Sequence, residues 1–388
     1  MTLALGRGTG PLRGLRVVEI AGIGPGPHAC MLLADLGADV IRIERPGGPV
    51  LSLEDPRHDI ALRGRPRVTL DLKAPDAVDT VLSLVERADV LVEGGRPGVA
   101  ERLGIGPDEC MARNPRLVYG RITGWGQSGP LAARAGHDLN YTAVAGTLHG
   151  LGQDRSKPHF PSNLLGDFGG GSTYLVIGVL AALVERGASG RGQVVDAAIV
   201  DGVAHLNAMT SSFLAAGMHT ERRGENILDG GLPNYDVYET ADGEHMAVGA
   251  LEPKFFEEFT RLLGIESPKA APGGAAAPGK LRAEIAARFR ERTRDEWSEV
   301  FAGSDACVTP VMRLSEAPAH PHVAERGVFV QRDGVTQPAP APRFSRTTAS
   351  LSTPPSEPGE NTVEALTAWG IDDAESLVAS GAAVPAAR

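Results

Sequence analysis

The 388-residue chain carries only three cysteines, Cys30, Cys110 and Cys307, too far apart to match a metal-ligand spacing. They read as free thiols in a reducing compartment and exclude a disulfide framework. HExxH, paired CxxC and clustered histidines are missing, so no metal is expected, and the G-x-S-x-G elbow of serine hydrolases is missing too. There is no surplus of positive charge: the formal net charge is −10, which argues against nucleic acid as partner of the whole surface. No apolar run approaches the length of a bilayer crossing. The opening MTLALGRGTGPLRG lacks the apolar core of a signal peptide and the closing PAAR carries no address, so a cytoplasmic protein with no membrane span is expected.

What is present is an ordinary globular composition, 42% hydrophobic and 22% charged, long enough for two domains or three. RVVEI, DVIRIE, VTLDL, DVLVEG, RLVYGRITG and GQVVDAAIV read as strands. HACMLLADLGA and APDAVDTVLSLVERA alternate with them as helices, which predicts a mostly parallel sheet. Asn163-Leu-Leu-Gly-Asp-Phe-Gly-Gly-Gly-Ser172 leads into an apolar helix expected to end near Gly187. NYDVYETADGEHMAVGAL predicts two antiparallel strands turning at 241–243, in a smaller α+β unit. KAAPGGAAAPGK (269–280) reads as linker, EIAARFRERTRDEWSEVFA as one helix, and the chain from Thr336 as Pro-rich and extended before a last helix, TVEALTAWG.

VVEIAGIGPGPHACMLLADLGADVIRIE has the outline of a dinucleotide fingerprint, with Glu44 placed 22 residues after Gly22. Prolines at 25 and 27 remove two amides that could cradle pyrophosphate, so a plain strand-to-helix turn is at least as good a reading, and the dehydrogenase is set aside. Between residues 42 and 73, seven cations (Arg42, Arg45, Arg57, Arg63, Arg65, Arg67, Lys73) face five acids, with Arg96 and Arg102 beyond. Most of these read as solvated surface, although a local positive bias suits a polyphosphorylated ligand. Asp167 is either an N-cap or a reactive carboxylate. His137 beside Asp138 reads as a structural histidine with an orienting acid, and Glu252 before Pro253 as a first-turn acid.

Taken together, these segments resemble the family III CoA-transferase superfamily (the CaiB/BaiF type) and, within it, the α-methylacyl-CoA racemases. The resemblance runs through GLRVVEIAGIGPGPHACMLLADLGADVIRIERPGG, VTLDLK, ADVLVEGGRPGVAERLG, RLVYGRITGWGQSGP, AGHDLNY, NLLGDFGGGS, GRGQVVDAAIVDG, SDACVTPV and APRFSRT…PGENTVEALTAWG. It implies an α/β fold with a large Rossmann-like domain and a smaller α+β domain. The expected boundaries are 1–200 for the first part of the large domain, 201–227 for a linker helix, 228–318 for the small domain, 319–341 for a linker and 342–388 for the return to the large domain.

The resemblance also implies chemistry. Asp167 and His137 become the groups that exchange a proton with the α-carbon of a 2-methylacyl-CoA from opposite faces, with Glu252 beside Asp167 and support from Asp138 and from the amides of Gly169 and Gly170. Ile23, Arg45, Lys73, Arg96 and Arg102 become the CoA-binding positions. No metal or redox cofactor is implied, since CoA is part of the substrate, and an interlocked homodimer sharing its active sites is expected. The alternatives are a CoA-transferase forming a covalent intermediate on Asp167, or a catalytically silent CoA-binding scaffold. His137 and the mere two consecutive glycines in LDGGLPNYD (228–236) favour the racemase over the transferase.

Overall fold

The computed structural model describes residues 3–47, 53–153, 157–266 and 278–386. Most of the expected linker at 269–280 lies outside the described residues, and 278–280 already begin the helix Pro278–Phe289. The chain divides into two compact units. One comprises Met1–Ala145, Pro161–Leu206 and Ala324–Arg388, the other Gly146–Phe160 and Asn207–Val323.

The first unit is built on a six-stranded parallel sheet: β1 (Arg16–Ile20), β2 (Asp39–Glu44), β3 (Arg67–Thr69), β4 (Val90–Glu93), β5 (Val118–Thr123) and β6 (Val194–Ala198). Their order in space is β3-β2-β1-β4-β5-β6, so the chain winds one way from β1 and then the other way from β4. The strands form where β-branched runs lie between turn residues, and β4 is buried along its whole length. Helices cover the sheet. Pro25–Asp35 and Pro75–Val85 each begin with proline at the first helical position, where its missing N–H costs nothing.

The strands carry charges that their hydrophobic pattern would not suggest. Glu19 of β1 stands opposite Arg42 of β2, which stands opposite Arg67 of β3. Arg42 pairs with Glu19 and, at 2.6 Å, with Glu44; Arg65 reaches Glu19 at 2.6 Å and Arg67 reaches Glu44 at 3.0 Å, all five side chains being buried. Arg63 is buried against Asp35 at 2.5 Å. The cations read from the sequence as solvated surface are therefore corrected: Arg42, Arg63, Arg65 and Arg67 are internal structural charges. Glu44, the acid of the apparent dinucleotide fingerprint, is consumed by Arg42 and Arg67.

The Pro-rich tail, poor in its own donors, is fastened by the same arginines. Arg63 donates to the Pro338 carbonyl and Arg67 to the Ser356 carbonyl, while the Gly64 amide donates to Thr353. The stretch 319–341 holds the helix Pro321–Glu325 and an antiparallel hairpin of two strands, Phe329–Arg332 and Val335–Pro338.

The second unit holds an antiparallel sheet of β7 (Tyr235–Glu239), β8 (His245–Gly249) and β9 (Val308–Pro310). Phe259, Phe289, Trp297 and Phe301 form its aromatic core. The expected single helix over 284–302 is two, Pro278–Phe289 and Arg294–Phe301, because Thr293 and Glu296 form a reciprocal capping box that starts the second. Stretch 201–227 contains the end of the helix Ile199–Leu206 and all of Ala208–Ala215.

One further expectation fails. The helix after the glycine-rich segment continues through Gly187 to Ser189, and Gly190, at φ 75°, supplies the left-handed cap. Joined to the turn before it, this gives a helical run Leu164–Ser189 of 26 residues, long and apolar enough by composition to cross a membrane. Leu175, Val179 and Ala182 nevertheless pack in the core of the first unit, as one face of a globular helix does.

Candidate active site

Asp167 lies in the first turn of a π-helical segment, Leu164–Ser172, that runs directly into the helix Thr173–Ser189. It is therefore not an N-cap, as a plain reading of Asp-Phe-Gly-Gly-Gly suggests. The glycines permit the wider turn because they leave room beside it. A Cβ on Gly170 would lie 2.6 Å from Val203 Cγ2, and one on Gly202 would strike the Gly170 carbonyl, so this segment and the helix Ile199–Leu206 approach backbone to backbone. Gly24, at φ 65° in the turn after β1, closes the other side: a Cβ there would sit 2.9 Å from Asp167 Oδ2.

The Asp167 carboxyl is half-buried and meets no cation within ion-pair distance among the described residues. Asn163 Nδ2 donates to Oδ2 at 3.3 Å. Burial raises its proton affinity above the ordinary carboxyl range; the Asn163 bond opposes this, the nearby Asp138 charge adds to it, and His137 opposes it. Asp138 is buried, and its Oδ2 accepts the Asp167 amide at 2.8 Å. His137 is exposed at the N-cap of the helix Asp138–Val144, its amide donating to Asn140 Oδ1 at 3.0 Å. The first unit thus gathers His137, Asp138, Asp167 and the Gly169–Gly170 backbone. Glu252 belongs to the second unit, exposed at the N-cap of the helix Pro253–Leu263, and its charge, after burial, helps raise the Cys307 thiol.

The five positions expected to hold CoA all follow the C-terminal ends of parallel strands: Ile23 after β1, Arg45 after β2, Lys73 after β3, and Arg96 and Arg102 after β4. All five are exposed. They flank the reversal of strand order between β1 and β4, where open α/β sheets present a crevice. The Gly24–Asp167 contact lies at the same end of β1, so the cationic rim and the carboxyl share one edge of the sheet.

Two residues escaped the sequence reading. His28 Nδ1 lies 2.6 Å from Ser172 Oγ, and its ring stacks on Phe168 at 4.3 Å. Ser172 Oγ donates to the Phe168 carbonyl at 3.0 Å, so His28 donates to Ser172 through Nδ1–H. Burial, and then Arg63 and Arg65, lower the proton affinity of His28, which keeps it neutral in this role. Through Ser172, the first helix thereby holds the Phe168 carbonyl, one residue beyond Asp167. Both residues stand inside quoted motifs, GPGPHAC and GDFGGGS, but nothing in either motif announces the other.

Known proteins place this site in context. Over 371 residues, 94% of this chain and 95% of the relative, the sequence is 43% identical to alpha-methylacyl-CoA racemase of Mus musculus. It is 41% identical to that of Homo sapiens, over 94% of each chain. A crystal structure of a CAIB/BAIF family protein from Brucella suis superposes with a TM-score of 0.78 at 26% identity, covering 96% of this chain and 99% of the other. The sequence pattern of CoA-transferase family III matches residues 12–362, and the chain belongs to that family.

Proposed function

We propose that the protein is an α-methylacyl-CoA racemase, inverting the α-carbon of 2-methylacyl-CoA thioesters by 1,1-proton transfer between His137 and Asp167. The observation that carries this is the 43% identity, along 94% of the chain, to a protein named for that activity. The local chemistry agrees with it. The α-hydrogen of a thioester is weakly acidic, and inversion needs a base on one face and an acid on the other. In one direction the His137 imidazole takes the Cα proton and the protonated Asp167 carboxyl delivers its own to the opposite face. The product leaves imidazolium and carboxylate, and the reverse reaction restores them. A carboxyl whose proton affinity is raised by burial, with no bonded cation among the described residues to hold it ionised, suits the donor half of that cycle.

The remaining assignments belong to the same proposal. The enolate oxygen takes its hydrogen bonds from amides of Gly169 and Gly170. Ile23, Arg45, Lys73, Arg96 and Arg102 bind CoA along the edge of the sheet. Glu252 pairs with Asp167 across a homodimer interface. Support for a partner copy comes from apolar side chains left open on the helix Thr173–Ser189, with Ile177 55% and Val184 79% exposed. Co-refolding inactive Asp167→Ala chains with inactive Glu252→Gln chains restores activity if the sites are shared, and restores none if they are not.

The competing reading within the family is CoA transfer through a covalent intermediate on Asp167, which an accessible, unpaired carboxylate also permits. A single enantiomer of a 2-methylacyl-CoA, incubated in D2O with no acceptor acid, separates the two. Deuterium at Cα with loss of optical purity supports the racemase. No exchange, together with an acyl or CoA adduct trapped on Asp167 when an acceptor is added, supports the transferase.

A further inference from the structure

Asp138 is 7% exposed, and its two carboxylate oxygens are treated differently. Oδ2 accepts the Asp167 amide at 2.8 Å, while Oδ1 is buried with no hydrogen-bond partner among the described residues. The neighbouring Gly166 is required for this approach, since a Cβ there would collide with Oδ2. Among the described residues no arginine or lysine pairs with Asp138, whereas Glu19, Glu44, Asp35 and Glu93 in the same unit each meet a guanidinium. A buried carboxylate with half its acceptor capacity unused costs stability, so its retention beside a second acid calls for a use.

We propose that Asp138 is a positioning residue for Asp167: one oxygen fixes the Asp167 peptide, and the negative charge beside it favours the protonated form of the Asp167 carboxyl. The proposal rests on the racemase reading for its purpose, because only a carboxyl that carries a proton through half of each cycle gains from such a neighbour. The like charge that raises Asp167 is present within one unit, so the proton can be held there before Glu252 is considered. The direction is the one found for Asp167, where the Asp138 charge adds to burial.

Other groups around the segment do not supply this charge. From its own helix Asp138–Val144, Tyr141 turns its hydroxyl to the Gly136 carbonyl, and His137 acts on Asp167 in the opposite sense. The helix Pro25–Asp35 presents His28, committed to Ser172. The helix Ile199–Leu206 carries Asp201, exposed, and His205, 2.7 Å from the Tyr174 hydroxyl of the helix Thr173–Ser189. Arg121 of β5 is taken by Glu93 and Glu101, and Asp196 of β6 accepts the Gln127 amide.

The test uses full-length protein carrying carboxyl-13C aspartate, with the Asp167 signal assigned by its loss in Asp167→Asn. Asp138→Asn keeps an acceptor for the Asp167 amide and removes the charge; Asp138→Ala removes both. In Asp138→Asn the Asp167 titration midpoint should move to lower pH, and the pH profile of α-proton exchange should move with it while KM is unchanged. Asp138→Ala should show the same downward shift and a further loss in kcat of about tenfold or more, because the carboxyl is no longer held in line. An unchanged or raised midpoint in Asp138→Asn overturns the proposal, whether or not the alanine variant folds. If the midpoint falls as expected but even the wild type exchanges no α-proton, the tuning stands and the racemase reading fails.

Discussion

Two sets of buried acids in one unit receive opposite treatment. Glu19 and Glu44 sit inside the parallel sheet and are each gripped by two guanidiniums, from Arg42 and Arg65 and from Arg42 and Arg67. Asp138 and Asp167, at the edge where the strand order reverses, lie beside each other with an amide and an asparagine as their bonded partners. A carboxylate fully matched by cations has its charge fixed and serves the fold. One left beside a like charge is costly to ionise and keeps its proton within reach. In the proposed reaction the cation-matched Glu19 and Glu44 serve the fold, and the unmatched Asp167 carries the proton.

The sharpest way to break this contrast is through the unmatched acid. Asp167→Asn and His137→Ala should each lower the rate of racemisation about 10²- to 10⁴-fold, the range of a general acid or base, with both variants folded by circular dichroism. Glu19→Gln should do the reverse. It leaves two buried guanidiniums short of a carboxylate and should cost about 3–5 kcal/mol in urea unfolding, with turnover per folded molecule retained. Next come the exposed cations at the strand ends. Lys73→Ala and Arg96→Ala should each raise KM for the CoA thioester about tenfold with kcat unchanged, and the effect should shrink as salt is added.

The smallest effect concerns stability and pH. Because the folded Asp167 carboxyl binds its proton more tightly than in the unfolded chain, wild-type stability falls as pH rises from the ordinary carboxyl range through the raised folded value. Asp167→Asn should therefore be the more stable protein at neutral pH. Its advantage should vanish in thermal melts as pH drops below the ordinary carboxyl range. An advantage that persists in acid would mean the aspartate is strained for some reason other than its charge.

Much of this was legible in the sequence. The six parallel strands follow β-branched runs, and Asp167, His137 and the strand-end cations stand in motifs that the family resemblance picks out. Other features were hidden for identifiable reasons. Arg42 looks like a solvated residue until the register places Glu19 opposite it, on a strand 23 positions earlier. The π turn at Leu164–Ser172 depends on Gly202, far along the chain, offering no side chain. Gly187 and Gly190 are equal candidates for a helix end by type, and only the backbone angle chooses between them. The split at Thr293 was readable, since Thr-x-x-Glu is a helix-start signature within an otherwise helical pattern.

The most direct measurement of the two-base account is enantiomer-specific exchange in single-base variants. Each enantiomer of a 2-methylacyl-CoA is incubated separately in D2O with wild type, His137→Ala and Asp167→Asn, and deuterium at Cα is followed against optical purity. The account predicts that wild type exchanges and racemises both enantiomers. Each variant should exchange only the one whose α-hydrogen faces the base it retains, without racemising it, and the two variants should differ in which enantiomer that is. Equal exchange of both enantiomers in either variant would contradict a proton passed between His137 and Asp167.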